Sequence, residues 1–178
     1  MLALGNAKRL ACPRSATPCG GAVLDLDYTS STHYHKRITS TTIKMIITKG
    51  AHKPNTASKQ PTETFSGTVH MDPVFNADDN SCMGNNVCFT PGARTFWHTH
   101  EHGQILSVTM GTGLICSKGQ PPRRLQVGDV VHIPAGETHW HGGSSSTMMA
   151  HLAISLGKTS WHDEVDQKEY EEANTTAT

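Results

Sequence analysis

The sequence predicts an all-β fold, a sandwich or small barrel closed by a short C-terminal helix. Two observations predict the strands. From Thr64 onward the chain breaks into short apolar segments separated by turn residues at close intervals. The 178 residues include 16 glycines and 9 prolines, which suits a domain with many turns. The helix follows from Asp166 with Glu169 three residues on, the spacing of a capping box.

Composition excludes several classes. Lys plus Arg and Asp plus Glu number 15 each, so the net charge of zero gives no reason to expect nucleic acid or a membrane surface as partner. No apolar run is long enough to span a bilayer. The five cysteines, Cys12, Cys19, Cys82, Cys88 and Cys116, are odd in number and scattered. They suggest neither a disulfide framework nor a thiolate zinc site, and they fit a reducing, cytoplasmic setting.

In chain order, residues 1–62 are expected to form a poorly structured extension, since they show little hydrophobic periodicity. Residues 1–24 carry Lys8, Arg9 and Arg14 but no acid, which reads as a transit-type leader, as a solvated extension or as a start site placed too early. Ile43–Ile47 reads as one short strand, and His33 with His35 as a surface pair without a third ligand. The domain is expected over 63–172. Its strands begin with Phe65–Val69 and Val87–Phe89, with turns at Asp72-Pro73 and Pro91-Gly92. Thr95–His100, Gln104–Met110, Leu114–Ser117, Arg123–Val127, Val130–Ile133, His139–Gly142 and Met148–Ser155 follow. Apart from His151, Met148–Ile154 is apolar on both faces, as in a strand with the interior on one side and another sheet or a second subunit on the other. The helix is expected to run through Tyr170, with fraying from Glu171 and a disordered tail over 173–178.

Twelve histidines are many for this length, and they crowd between His98 and His151. Strand residues two apart share a face, so His98 and His100 project together, as do Gln104, Leu106, Val108 and Met110. His139 follows a Pro134-Ala135-Gly136 turn. Three imidazoles and one amide oxygen can hold a divalent transition metal and leave positions open for substrate. A metal-free histidine core would instead need hydrogen-bond partners for every ring nitrogen.

Two stretches together carry a family resemblance. One is Gly92, five residues, His98-x-His100, then Gln104 and Gly111; the other is Gly128, five residues, Pro134-x-Gly136, two residues, His139. They resemble the paired motifs of the cupin superfamily, with Gln104 where glutamate is usual and Gly143 where asparagine is usual. Asp72-Pro73-x-Phe75, Pro91 to His100, Gly103-Gln104, Gly136 to Gly142 and a late His151 resemble small single-barrel members found with carboxymuconolactone decarboxylase-type domains. The resemblance implies a double-sheet jelly-roll barrel. It also implies metal ligation by His98, His100, Gln104 and His139, with one ion of Fe, Mn, Ni, Cu or Zn.

Replacing the usual glutamate by Gln104 leaves the divalent charge uncompensated, which favours a small anionic substrate. His141 shares the inward face of His139, and His151 matches the late histidine of that subgroup; either could move a proton or orient a neighbour. The resemblance points to dioxygenase-type oxidoreductase chemistry on a phenolic, enolic or dicarbonyl compound, by a homodimer. The alternatives are a non-redox isomerase, decarboxylase or lyase, and a non-catalytic small-molecule-binding barrel. Arg94 reads as structural, Glu101, His102, His132 and Glu137 as surface or loop, and Phe96, Trp97, Met110 and Trp140 as core or pocket lining.

Overall fold

The computed structural model describes residues 57–77 and 79–178, together with positions 45 and 47, all within the unit Lys44–Thr178. His33, His35, Cys12, Cys19 and the leader-like stretch lie outside the described residues. So does most of the expected Ile43–Ile47 strand; its two described positions, Met45 and Ile47, are exposed and in no strand.

Among the described residues the chain forms eleven strands and one helix. The strands are β1 (Phe65–Ser66), β2 (Val69–Asn76), β3 (Cys82–Phe89), β4 (Arg94–Thr95), β5 (His98–His100), β6 (Gln104–Ser117), β7 (Arg123–Gln126), β8 (Val130–Ile133), β9 (His139–Gly143), β10 (Met149–Leu156) and β11 (Thr159–Trp161). The helix α1 spans Gln167–Thr176. All pairings between strands are antiparallel. One sheet runs β2-β3-β10-β6-β8; the other joins β1, β4, β9, the second half of β6 and β7, with β5 bridging β9 and β11. The result is the nearly closed jelly-roll barrel the motifs imply. Pairing begins before residue 63, because Lys59 forms an isolated bridge with Met71.

Gln104–Ser117 is one strand, not the two expected. Gly111 and Gly113 read as a turn in the sequence, but here they let β6 pass from one sheet to the other. Gly111 has φ +72°, and a Cβ there would meet the Met148 carbonyl; a Cβ at Gly113 would meet the Gly142 carbonyl and the Met149 sulfur. A bulge between Ala150 and His151 lies beside this bend, pairing His151 with Val108 and Ala150 with Met110. The extra residue breaks the alternation of β6. Val108 therefore points inward while Met110 is 42% exposed, and the expectation that Met110 lines the pocket is corrected. Asp72-Pro73 is likewise no turn. It lies within β2, at the end of the sheet path and beside a bulge, where a missing N–H is tolerated.

The interior is filled by inward residues of both sheets, Phe89, Leu106, Val108, Ile115, Met149 and Ala153 among them. Trp97 and Trp140 belong to a second core on the outer face of β9. There Leu114, Val165, Tyr170 and Ala173 cover them with α1. Arg94 fastens this helix, as its structural reading anticipates. Its Nη2 donates to the Val165 carbonyl at 3.0 Å and to Gln167 Oε1 at 3.2 Å, and its guanidinium lies 4.5 Å from the Tyr170 ring centre. Asp166 caps α1 by accepting from the Lys168 and Glu169 N–H groups. The helix outruns its expected end at Tyr170 because tertiary contacts hold the last turns. Ala173 is buried, Arg124 donates to the Asn174 carbonyl, and the Ser145 N–H donates to Asn174 Oδ1. The residues 173–178 expected to be disordered therefore begin inside a helix.

Candidate metal centre

The barrel brings His98, His100 and His139 together from two paired strands. His98 and His139 are register partners in the β5–β9 pair, and their ring centres are 4.2 Å apart. His100, two residues on, takes the same face. One ligand nitrogen from each lies within 4.8 Å of the others, and the three side chains are buried. Gln104 opens β6 at 4% exposure, opposite Ser155 of β10.

The outer nitrogen of each ring is held. His98 Nδ1 lies 3.0 Å from the Phe96 carbonyl oxygen and His139 Nδ1 2.9 Å from that of Glu137. A carbonyl only accepts, so both Nδ1 atoms donate and both Nε2 atoms keep their lone pairs. His100 Nδ1 meets Thr159 Oγ1 at 3.1 Å, and His100 Nε2 is buried with no partner among the described residues. This is how metal-ligating histidines are fixed in tautomer and orientation.

A metal ion fits these residues on a further ground. Gln104 Nε2 donates to Ser155 Oγ at 3.2 Å, which turns Oε1 toward the histidines; Oε1 then lies 3.1 Å from His139 Nε2. Both atoms are acceptors when His139 is neutral. A buried contact between two acceptors is relieved by a cation that both can ligate. The rings favour the neutral state. Burial first, and then the neighbouring His139, push His98 well below its ordinary value and His100 to about 4; burial lowers His139 as well. Unprotonated nitrogens at neutral pH are what a metal site requires.

His141 and His151 lie beside this cluster. The His141 ring centre is 5.3 Å from that of His98, and His151 Nε2 is 3.2 Å from His141 Nδ1. Phe89 packs against both rings, edge-on at 5.7 Å to His141 and at 5.5 Å to His151. Burial, then the other histidines, lowers His141 well below the usual imidazole range; burial lowers His151 to about 4. His98, His100, Gln104 and His141 reach the wall of a cavity of about 740 Å³, with His139 and His151 behind them.

Several of these residues were not singled out by sequence reasoning. Thr159 holds His100, Ser155 turns Gln104, and Trp161 stacks on His98 with ring centres 4.8 Å apart. The alternation Thr159-x-Trp161 after Gly157 is the only signal for Thr159 and Trp161, in a strand of three residues, whereas Ser155 lies in the expected strand Met148–Ser155. Glu101, His102 and His132 are exposed, as expected. Glu137 is part-buried and accepts a hydrogen bond from the Ser117 hydroxyl.

The fold and site have known relatives. A family model described as the cupin domain matches residues 85–155. The chain is 44% identical over 119 residues to the (R)-mandelonitrile lyase of Granulicella tundricola, spanning 64% of this chain and 91% of that protein. The chain belongs to the cupin superfamily. Among solved cupins, a cupin-like protein of Thermotoga maritima matches with TM-score 0.63 at 34% identity, over 68% of this chain and 97% of that one. A predicted oxalate decarboxylase of the same organism shares the fold, with TM-score 0.53 at 20% identity over 62% and 100% of the two chains. Dioxygenase-type chemistry has no counterpart in these names, whereas the lyase alternative does. No helix among the described residues is long and apolar enough to cross a membrane.

Proposed function

We propose that this cupin is a metal-dependent lyase. It breaks the bond between a hydroxyl-bearing carbon and a nitrile carbon, releasing an aldehyde or ketone and hydrogen cyanide, and makes that bond in reverse. The choice of reaction is supported by the 44% identity to a mandelonitrile lyase along 91% of its length. The mechanism is supported by the 3.2 Å contact between His141 and His151, two buried imidazoles beside the three-histidine cluster.

His98, His100, Gln104 and His139 would hold a divalent ion, which when bound would supply Lewis-acid stabilisation of negative charge on the substrate oxygen. The four donors are neutral, so none of the ion's charge is cancelled. In the tautomer that suits this reaction, His141 Nδ1–H would donate to His151 Nε2, leaving the lone pair on His141 Nε2 for the substrate. Nε2 has no other partner among the described residues. It accepts the hydroxyl proton, and the O–H electron pair becomes the second bond of the carbonyl. The carbon–carbon pair leaves with cyanide, which takes the proton back. His151 orients His141 and shares its positive charge while the proton is held.

A homodimer would use the outward residues Leu152, Ile154 and Leu156 of β10, which stay partly exposed in one copy. Light scattering of the purified chain tests this. The reaction is tested by loading the protein with Mn, Fe, Ni, Cu or Zn in turn and supplying mandelonitrile. Release of benzaldehyde and cyanide above the metal-free rate, without oxygen uptake, is expected. Oxygen consumption on enolic substrates with no aldehyde release from the nitrile would return the site to the oxidoreductase reading.

A further inference from the structure

The cavity is larger and more one-sided in charge than a one-ring hydroxynitrile needs. Mandelonitrile has about ten non-hydrogen atoms, whereas pockets of about 300–1,000 Å³ take drug-sized ligands. At about 740 Å³ this cavity belongs with the latter. The whole chain balances 15 basic against 15 acidic residues, yet among the described residues the cavity wall holds Lys59 and Lys158 and no carboxylate. Glu101 is the carboxylate beside Lys158. It accepts the Lys158 backbone N–H at 3.1 Å and lies outside the wall. A concave site lined by one sign of charge concentrates the opposite sign.

Burial orders these groups from His98 outward. His98 is 1% exposed, Trp161, its register partner on β11, is 40% exposed, and Lys59 and Lys158 are exposed. The Trp161 ring centre lies 4.8 Å from that of His98 and 5.6 Å from that of Phe65, and its uncovered surface lines the cavity. Such a ring is a stacking surface for an aromatic substrate. The backbone of each lysine is tied down, Lys59 through its bridge to Met71 and Lys158 through Glu101.

We infer that the substrate is an aromatic carbonyl compound, or its cyanide adduct, bearing an acid group remote from the reacting carbon, with its ring on Trp161 and the acid group between Lys59 and Lys158. The identity of the reacting carbon rests on the lyase reading; the recognition of ring and acid does not.

The test uses the full, metal-loaded chain with benzaldehyde and para-carboxybenzaldehyde. Binding is read by calorimetry and by protection of Trp161 fluorescence from acrylamide. Trp97 and Trp140 are 4% and 0% exposed, so quenching reports Trp161. The acid should bind about tenfold more tightly at low salt, and the preference should shrink as salt rises. It should vanish in the Lys59→Gln/Lys158→Gln double variant, with metal content and benzaldehyde binding unchanged. Trp161→Leu should weaken both compounds alike. Equal binding of the two aldehydes would overturn the inference, as would a preference that survives in the double variant, which would place the carboxylate on the metal. Turnover of the two hydroxynitriles separates the claims. A lysine-dependent preference without cleavage of either leaves the inference standing and sinks the lyase reading; cleavage of both without preference does the reverse.

Discussion

Two sets of imidazoles share the barrel interior and differ in what holds them. His98 and His139 each give their outer N–H to a backbone carbonyl, and His100 is held by the Thr159 hydroxyl. All three inner nitrogens are thereby committed to one point. His141 and His151 are held by each other, and their remaining nitrogens, His141 Nε2 and His151 Nδ1, have no partner among the described residues. A ring held by a carbonyl has one tautomer, which suits a metal ligand. A ring held by another ring can pass a proton along the bond between them, which suits a base. The difference in supports, more than the difference in position, separates the roles assigned to the two sets.

Removing one member of each set should separate those roles. His139→Ala should abolish stoichiometric metal binding and with it all metal-dependent activity, while circular dichroism still reports a β-rich fold. The interior apolar cluster and the second core under α1 do not depend on the ion. A disordered chain would show that the metal holds the barrel. His141→Gln should keep the metal, measured by elemental analysis, and lower kcat by about 10²–10⁴-fold, the usual contribution of a positioned base. Loss of metal in His141→Gln would make His141 a ligand or its support and erase the distinction.

The two sets were not equally legible in the sequence. The candidate ligands could be read because a strand repeats every two residues and because both halves of the motif are local. His98 to Gln104 spans one turn, and His139 follows its own turn. The pairing of His141 with His151 joins β9 to β10, whose meeting depends on the long bend in β6 and the bulge at His151, and no local pattern encodes that. Met110 was misplaced for the same reason, since one extra residue inverts an alternation. Thr159 and Trp161 are barely legible because a strand of three residues holds a single step of the alternation. The end of α1 has no local signal because Asn174 is held by contacts from β7 and the loop after β9, and Ala173 by burial in the second core, not by helix propensity.

Acid should also act on the two sets. An unfolded histidine takes a proton near the ordinary value of 6.5, whereas folded His151 takes one only near 4, because burial disfavours its charge. Between those values the unfolded chain binds more protons than the folded one, so stability is full above about 6.5 and falls as pH drops toward 4. The melting temperature of the metal-free protein should follow that course. His151→Leu removes one of the responsible groups and should make the decline shallower, even if its melting temperature at neutral pH differs. An unchanged slope would mean that His151 does not remain neutral in the folded barrel.

The smallest expected effect tests the site's charge. Gln104→Glu keeps the shape of the proposed fourth ligand and adds one negative charge beside the three imidazoles. Carboxylate is the better donor for a hard divalent ion, so metal affinity should rise. The field that favours an anionic substrate, or a developing oxyanion, should weaken by one unit, so substrate affinity and turnover should fall. Each change should be about tenfold, the size of a shift of 1.4 kcal/mol. Ser155 should still be able to hold the new side chain, because its hydroxyl can donate to a carboxylate as readily as it now accepts from the amide at 3.2 Å. Metal titration and steady-state kinetics on the same preparation read both quantities. Opposite movements separate an electrostatic effect from general damage, which would lower both. If neither moves, Gln104 does not touch the ion. The amide would then be turned over, its Nε2 donating to the lone pair of His139 Nε2 and its oxygen accepting from the Ser155 hydroxyl, which leaves the ring neutral as its burial favours.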